Sequence, residues 1–348
     1  MNNTDIERDI YGNYLNDLHV LLLNTMKRID NIPNKQWCFY RKLMNPYDFH
    51  SRRFANNRAF YKLWEILKVY PQLITNCDLY SLHLAEAPGS FVQALEKLYP
   101  DAKMKAISKP PMTYAKVLES SKSTPQFNTS IVNTIKNCSF EYIDLLNSIT
   151  FPKFIYENIK DKFDFITADG GIDENTMYNN KEELHLDLIL AEIKSIILLS
   201  KINGNAILKI FDVYSHKTIS LLYFLSLYFT KVTIFKPYTS RPTNSEKYII
   251  CENFINVLDE SQVSFIYNLS MNSNLFSIYT PIPQSFINYI LDCVKYHTLI
   301  QIKTINQVIE MYLEHNNSES TKKINKKSIY NFKDKIFDEW KMNFDFQE

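Results

Sequence analysis

Between residues 59 and 251 the apolar positions follow two alternating rhythms. Stretches with apolar residues on one helical face trade places with short runs of β-branched and aromatic residues. The first rhythm predicts helices over Ala59–Val69, from Phe91 onward, over Glu182–Lys201 ahead of a stop at Gly204, and over His216–Phe229. The second predicts strands Tyr80–Leu84, Met104–Ile107, Phe140–Ile143, Phe163–Ala168, Ala206–Phe211, Val232–Lys236 and Lys247–Cys251. Strands spaced by helical periods imply βαβ units and a mostly parallel sheet with helices on both faces. No helical period separates the last two strands, so they are predicted as antiparallel neighbours.

The flanks read differently. Tyr14, Leu15, Leu18, Leu21, Leu22 and Met26 fall at helical spacing and predict a helical extension over 1–50. Beyond Asn256 one helical face is formed by Ile302, Ile305, Val308, Ile309, Tyr312 and Leu313. A polar break at Asn316–Ser320 follows, then a tail, Lys322–Lys341, with seven lysines against three acids. Those lysines read as a solvated helix face. One α/β domain over 51–256 and a mostly helical extension over 257–348 complete the predicted organisation.

A chain of 348 residues is long enough to bury roughly three quarters of the surface its unfolded form exposes. Its 45% hydrophobic content excludes a disordered protein. Asn, Ile, Lys and Tyr crowd out Gly and Ala, as AT-rich coding does. The formal net charge of +1 conceals two opposed segments. Lys35–Lys68 has eight basic residues against two acids, and Glu157–Glu192 has ten acids against three lysines. The first segment suits an anionic partner and, equally, a solvated surface. Five scattered cysteines without a Cys-x-x-Cys pair predict a reducing compartment and no structural zinc. The opening residues are too polar for a signal peptide, and Leu184–Leu199 and Ile219–Phe229 fall short of a membrane span. A soluble, intracellular protein without membrane contact is predicted.

Candidate chemistry concentrates where the strands end. In a doubly wound sheet, ligands sit outside the carboxyl ends of the strands. The first strand leads into Glu86-Ala87-Pro88-Gly89-Ser90-Phe91, a tight turn with a helix directly behind it. Gly89 lets the backbone pass close to a ligand, and the helix start offers N–H groups. The later strands deliver Asp144, Asp169 with Gly170-Gly171, and Glu246. Lys209 interrupts the apolar strand Ala-Ile-Leu-Lys-Ile-Phe. A lysine there is costly to bury unpaired. It reads either as a salt bridge stapling strand ends to Asp169 or as an amine tuned for proton transfer.

Together these residues resemble the FtsJ-like RNA 2′-O-methyltransferases, and among them the enzymes specific for the mRNA cap. Arg58-Ala59-Phe60-Tyr61-Lys62-Leu63 is similar to the family's first motif, and Glu86-Ala87-Pro88-Gly89 to its S-adenosylmethionine turn. Asp164–Gly171 matches the strand with the catalytic aspartate, and Leu208-Lys209-Ile210 the second lysine. Ser240-Arg241-Pro242-Thr243-Asn244-Ser245-Glu246 is close to the Ser-Arg-Pro-x-Asn-Ser-Glu wording of the cap enzymes. The resemblance runs from Arg58 to Cys251 and implies a Rossmann-like methyltransferase fold, S-adenosylmethionine as cofactor and capped mRNA as partner. A capping or transcription protein is a conceivable further partner, and the composition would suit a large cytoplasmic DNA virus. Ribosomal or transfer RNA as substrate, or an inactive RNA-binding subunit, are the competing readings. The Ser-Arg-Pro loop speaks against the first and the intact motif residues against the second.

Carried over, the family's catalytic tetrad falls on Lys62, Asp169, Lys209 and Glu246. A ribose hydroxyl is a poor nucleophile, so the enzyme must loosen its proton and align it. The resemblance makes Lys209 the base, helped toward the neutral amine by burial and by the Lys62 ammonium. Asp169 and Glu246 would orient the lysines and offset their charge, which opposes deprotonation; the balance stays open at this level. No step needs a metal. Glu86, Ala87, Pro88, Gly89, Ser90, Phe91, Asp144 and Asp169 are the expected cofactor contacts, and Arg58, Ser240, Arg241 and Asn244 the expected RNA contacts. The chain departs from the family at Ser90, where a second glycine is usual. It departs again at Ala106-Ile107-Ser108-Lys109, which lacks an acid for the cofactor ribose; Glu86 or Ser108 are the substitutes. Asp144 is the candidate for the adenine edge and equally a loop cap. Trp37, Phe39, Tyr40, Arg41, Lys42, Arg52 and Arg53 could hold RNA phosphates and a stacked cap base, or Trp37 and Phe39 could pack into the core.

Overall fold

The computed structural model describes residues 3–47, 55–76, 78–111, 126–171, 181–270, 282–317 and 326–347. Seven strands form one sheet: β1 (Tyr80–Leu84), β2 (Lys103–Ser108), β3 (Cys138–Tyr142), β4 (Phe163–Ala168), β5 (Ser200–Ile210), β6 (Phe229–Phe235) and β7 (Lys247–Phe254). Their spatial order is β3-β2-β1-β4-β5-β7-β6. Strands β1 to β5 pair in parallel, while β7 runs antiparallel to both β5 and β6. The parallel body and the antiparallel last strand are as the hydrophobic rhythm predicts. The chain between β6 and β7 holds no helix, so it can only turn back.

This order reverses direction between β1 and β4, which opens a crevice at their carboxyl ends. Leu84 pairs with Ala168 across the two strands, and the Asp169 N–H donates to the Leu84 carbonyl at 3.2 Å. The residues that follow, Glu86 and Asp169, therefore leave the sheet side by side.

Two cores flank the sheet. One face (Leu82, Leu84, Ile166, Ala168, Leu208, Ile249) packs on α6 (Thr150–Asn158), α7 (Lys181–Leu199) and α8 (His216–Ser226). The opposite face (Met104, Phe165, Ile207, Tyr248, Ile250) packs on α3 (Ala59–Val69), α4 (Ser90–Leu98) and α5 (Thr129–Thr134). Strand residues alternate between faces, so Lys209 shares a side with Ile207 and Tyr248, facing α3. Its Cα pairs with that of Tyr248.

Helix α3 is buried over most of its circumference because the chain's far end covers its outer side. The segment after α9 (Glu260–Asn268) and α10 (Gln284–Asn317) ends in α11 (Lys326–Asn343). Trp340 and Phe346 of this tail meet Tyr61 edge-on at 5.5 and 6.1 Å between ring centroids. The Trp64 indole donates to the Phe344 carbonyl at 2.9 Å. The opposite flank has its own small core, where α1 (Asn3–Lys27) and α2 (Asn34–Met44) pack Leu22, Trp37 and Tyr40 on Ile305, Val308 and Ile309 of α10. Trp37 thus takes the core-packing role, and Arg52 and Arg53 lie outside the described residues.

Several boundaries differ from the sequence reading: the helix predicted over His216–Phe229 ends at Ser226 and Phe229 opens β6, and the junction of α7 with β5 lies earlier than predicted. Helix α7 ends at Leu199 and β5 begins at once, so Gly204 is not a helix stop. A Cβ on Gly204 would lie 2.7 Å from the Lys201 carbonyl and 3.1 Å from those of Phe163 and Asp164. Glycine is required there for backbone to approach backbone.

Candidate active site

The turn after β1 closes on itself. Gly89 adopts φ +106°, a left-handed conformation open to glycine, and its N–H donates to the Glu86 carbonyl at 2.8 Å. The Glu86 carboxylate accepts from the N–H groups of Phe91 at 2.7 Å and Val92 at 3.1 Å. These helix-start donors are therefore occupied, not open to a ligand as the sequence reading supposed. Burial raises the Glu86 carboxyl to about 8; the two N–H groups only partly oppose it. Phe91 itself sinks into the core beside Tyr248. The Ala87 N–H donates to Ser108 Oγ at 3.3 Å, which ties the turn to the end of β2. Asp144 takes the loop-cap position, accepting from the Leu146 N–H at 3.0 Å, with Lys109 at 3.4 Å.

Next to this turn, four charged side chains converge from α3, β4, β5 and the start of β7. Lys62 Nζ stands 2.6 Å from Glu246 Oε1, which also accepts from Ser240 Oγ at 2.8 Å. Lys209 Nζ stands 3.1 Å from Asp169 Oδ1 and donates to the Asp169 carbonyl at 2.6 Å. The Tyr248 hydroxyl donates to the same Asp169 Oδ1 at 3.1 Å.

Charge balance decides the protonation here. Burial pushes the Lys209 amine down, but Asp169, Glu246 and Glu192 together push it further up, so it stays above the ordinary lysine value. The balance the sequence left open thus falls to the carboxylates, and Glu246 also meets Lys62 at contact distance. Glu246 lies well below the usual carboxylate range: burial would raise it, but Lys62, Lys209 and Lys236 outweigh that.

The Ser-Arg-Pro loop is lashed down from below and behind. Lys236 Nζ donates to the Asn244 and Glu246 carbonyls at 2.6 and 2.7 Å, and Lys247 Nζ to those of Phe211 and Ser245 at 2.6 and 2.7 Å. Burial and the neighbouring Lys247 lower Lys236 to about 7. Just ahead of α3, Arg58 donates to the Thr239 carbonyl at 2.6 Å, while Glu65 within the helix accepts from the Tyr238 and Thr239 N–H groups at 2.5 and 3.1 Å. Ser240 is buried on Glu246, the Asn244 N–H turns back to the Arg241 carbonyl at 3.0 Å, and Arg241 is half-buried. Of the four expected RNA contacts, Arg58 and Ser240 are thus seen shaping the loop.

Sequence reasoning passed over Glu65, Glu192, Lys236, Lys247 and Tyr248. A charged residue inside an otherwise apolar run was the available signal for Glu65 and Glu192; only Lys209 had been singled out by it.

A profile of FtsJ-like methyltransferases matches residues 55–254, which contain the whole of this site. The chain belongs to the FtsJ-like methyltransferase family. The curated relatives include cap-specific mRNA (nucleoside-2′-O-)-methyltransferase 2 of Drosophila melanogaster, 30% identical over 67% of this chain and 36% of that protein. The cap-specific mRNA (nucleoside-2′-O-)-methyltransferase of Autographa californica nuclear polyhedrosis virus is 36% identical over 32% of this chain and 45% of that protein. Methyltransferase 1 of the same name from Dictyostelium discoideum is 36% identical over 42% of this chain and 20% of that one. The chain therefore spans less than half the length of each of these relatives.

An FtsJ-like enzyme requires a methyl donor, and the turn has features that fit one. Ser90 Oγ is buried without a hydrogen-bond partner among the described residues. Beside left-handed Gly89, it leaves a buried polar group of the turn with hydrogen-bonding capacity to spare. Among the described residues no helix is long and apolar enough to cross a membrane.

Proposed function

We propose that this chain methylates a ribose 2′-hydroxyl near the 5′ cap of mRNA, with S-adenosylmethionine as the methyl donor. The observation that carries this reading is the convergence of Lys62, Asp169, Lys209 and Glu246 beside the Glu86–Phe91 turn. The names of these three relatives, each a cap-specific 2′-O-methyltransferase, support the choice of substrate.

S-adenosylmethionine supplies a methyl group already activated on a sulfonium, so the protein's task lies with the hydroxyl. The turn residues Ala87, Pro88, Gly89 and Ser90 would hold the donor, together with Asp169 at the neighbouring strand end. Lys209 faces the substrate position with its amine fixed by the Asp169 carbonyl and carboxylate. An ammonium there donates a hydrogen bond to the ribose oxygen and aligns it; the neutral amine takes its proton. Because the surrounding carboxylates favour the ammonium, transfer should accelerate as pH rises toward the lysine range. Lys62 and Glu246 form the opposing wall, with Glu246 held ionised and Ser240 fixing its direction. Arg241 at the loop supplies positive charge for RNA phosphates.

The test uses labelled S-adenosylmethionine and RNAs that differ only in the cap, followed by nuclease digestion and mass spectrometry. Label on the ribose of a cap-proximal nucleotide, dependent on the cap, is expected. Equal labelling of uncapped RNA would overturn the cap assignment, and label on a base would overturn the reaction itself.

A further inference from the structure

Glu192 lies in α7, outside every motif that marks the family, yet it is 1% exposed and aimed at the site. Its Oε1 accepts from the Gly170 N–H at 3.1 Å. The carbonyl of that same peptide group, Asp169 C=O, accepts from Lys209 Nζ at 2.6 Å. One peptide unit thus bridges the two side chains, amine on one side and carboxyl on the other. Each hydrogen bond polarises the peptide in the sense that strengthens the other.

The space around the contact is shaped for it. A Cβ on Gly170 would overlap Glu192 Oε1, and Leu188 Cδ2 would lie 3.0 Å from it, so glycine at 170 leaves room for this carboxyl. A buried carboxyl is costly to place in an apolar helix and would be replaced by a hydrocarbon if packing alone mattered. Glu192 also lies close enough to Lys209 to favour its ammonium form once its own carboxyl, which burial raises to about 8, is ionised.

We infer that Glu192 is a positioning residue for methyl transfer: by fixing the 169–170 peptide it holds the carbonyl that anchors the Lys209 amine. This rests on the reading of Lys209 as the group acting on the ribose hydroxyl. Glu192 touches neither donor nor RNA. Its loss should slow the chemical step and leave ligand binding alone.

Glu192→Leu keeps the volume and removes the acceptor, whereas Glu192→Gln keeps an oxygen for the Gly170 N–H. With the full chain, saturating S-adenosylmethionine and capped RNA, Glu192→Leu should lower kcat roughly 10- to 100-fold, the scale for a misplaced reacting group. KM for both ligands should stay within about twofold, and Glu192→Gln should recover kcat to within about threefold. Circular dichroism and thermal melts identify any variant that fails to fold, in which case the Gln variant and Gly170→Ala, which displaces the carboxyl, carry the test. Wild-type rates in Glu192→Leu, a change confined to KM, or a Gln variant as slow as the Leu variant would overturn the inference while leaving the proposed function intact. Absence of methyl transfer by the wild-type chain would overturn the proposed function and this inference with it.

Discussion

Two buried carboxyls at the same end of the sheet, with β4 and β5 between their strands, meet opposite fates. Glu246 is surrounded by ammonium groups and stays ionised; Glu86 is met chiefly by backbone N–H groups and is raised to about 8. Both are buried, at 4% and 8% exposure, so depth of burial does not separate them. The difference lies in what faces them. Full charges compensate the desolvation of a carboxylate, whereas two peptide dipoles do so only in part. The region around Glu246 is thus an electrostatic assembly drawn from four elements, and the Glu86 turn is a local backbone device.

If that contrast holds, the largest effect should follow removal of the Glu246 carboxylate. Glu246→Ala leaves Lys62 and Lys209 without a counter-ion they share and should cost about 3–5 kcal/mol in urea unfolding, the scale for breaking a buried pair. Glu86→Ala removes a helix cap and should cost about 1–2 kcal/mol, while Glu86→Gln should cost less. Equal losses for Glu246→Ala and Glu86→Ala would erase the distinction.

The pH dependence of stability sharpens the comparison further. Glu86 and Glu192 keep their protons in the folded protein up to about 8, while the ordinary value is 4.5. Between those values the folded state binds more protons than the unfolded one, so these groups make stability fall as pH rises and add no further slope above about 8. Glu246 acts in the opposite sense: its contribution is present above 4.5 and is lost as pH falls toward its depressed value. Melting temperatures measured from pH 5 to 8 should therefore decline less steeply in Glu86→Gln than in the parent. An unchanged slope would argue that Glu86 is ionised. Smallest of all, Asp144→Asn keeps an oxygen for the Leu146 N–H and should shift stability by no more than about 0.5 kcal/mol.

The strands and Ala59–Val69 were legible in the sequence because periodicity of two and of 3.6 separates cleanly in this chain. The four charges that converge, Lys62, Asp169, Lys209 and Glu246, could be picked out as well, through motif wording and, for Lys209, through a charge in an apolar strand. Glu192 was not, although it interrupts Leu188-Ile189-Leu190-Ala191 just as plainly. Helix α7 is apolar on nearly all sides, so its phase, and hence the direction of Glu192, cannot be read from its pattern. Glu65 was hidden for the same reason, since α3 is covered by a tail nearly three hundred residues away in sequence. Arg58 shows a role its motif does not announce: its guanidinium is seen on the Thr239 carbonyl. The openness of the α4 start was misjudged because Glu86, five residues before Phe91, folds back onto it.

The central claim is that Lys209, anchored by Asp169, acts on the ribose hydroxyl. Single-turnover methyl transfer to capped RNA by Lys209→Ala, with S-adenosylmethionine affinity measured by calorimetry on the same preparation, tests it directly. The expected result is a fall in rate of roughly 10²- to 10⁴-fold with donor affinity nearly unchanged. Transfer at the parent rate by a folded, donor-binding Lys209→Ala protein would contradict it.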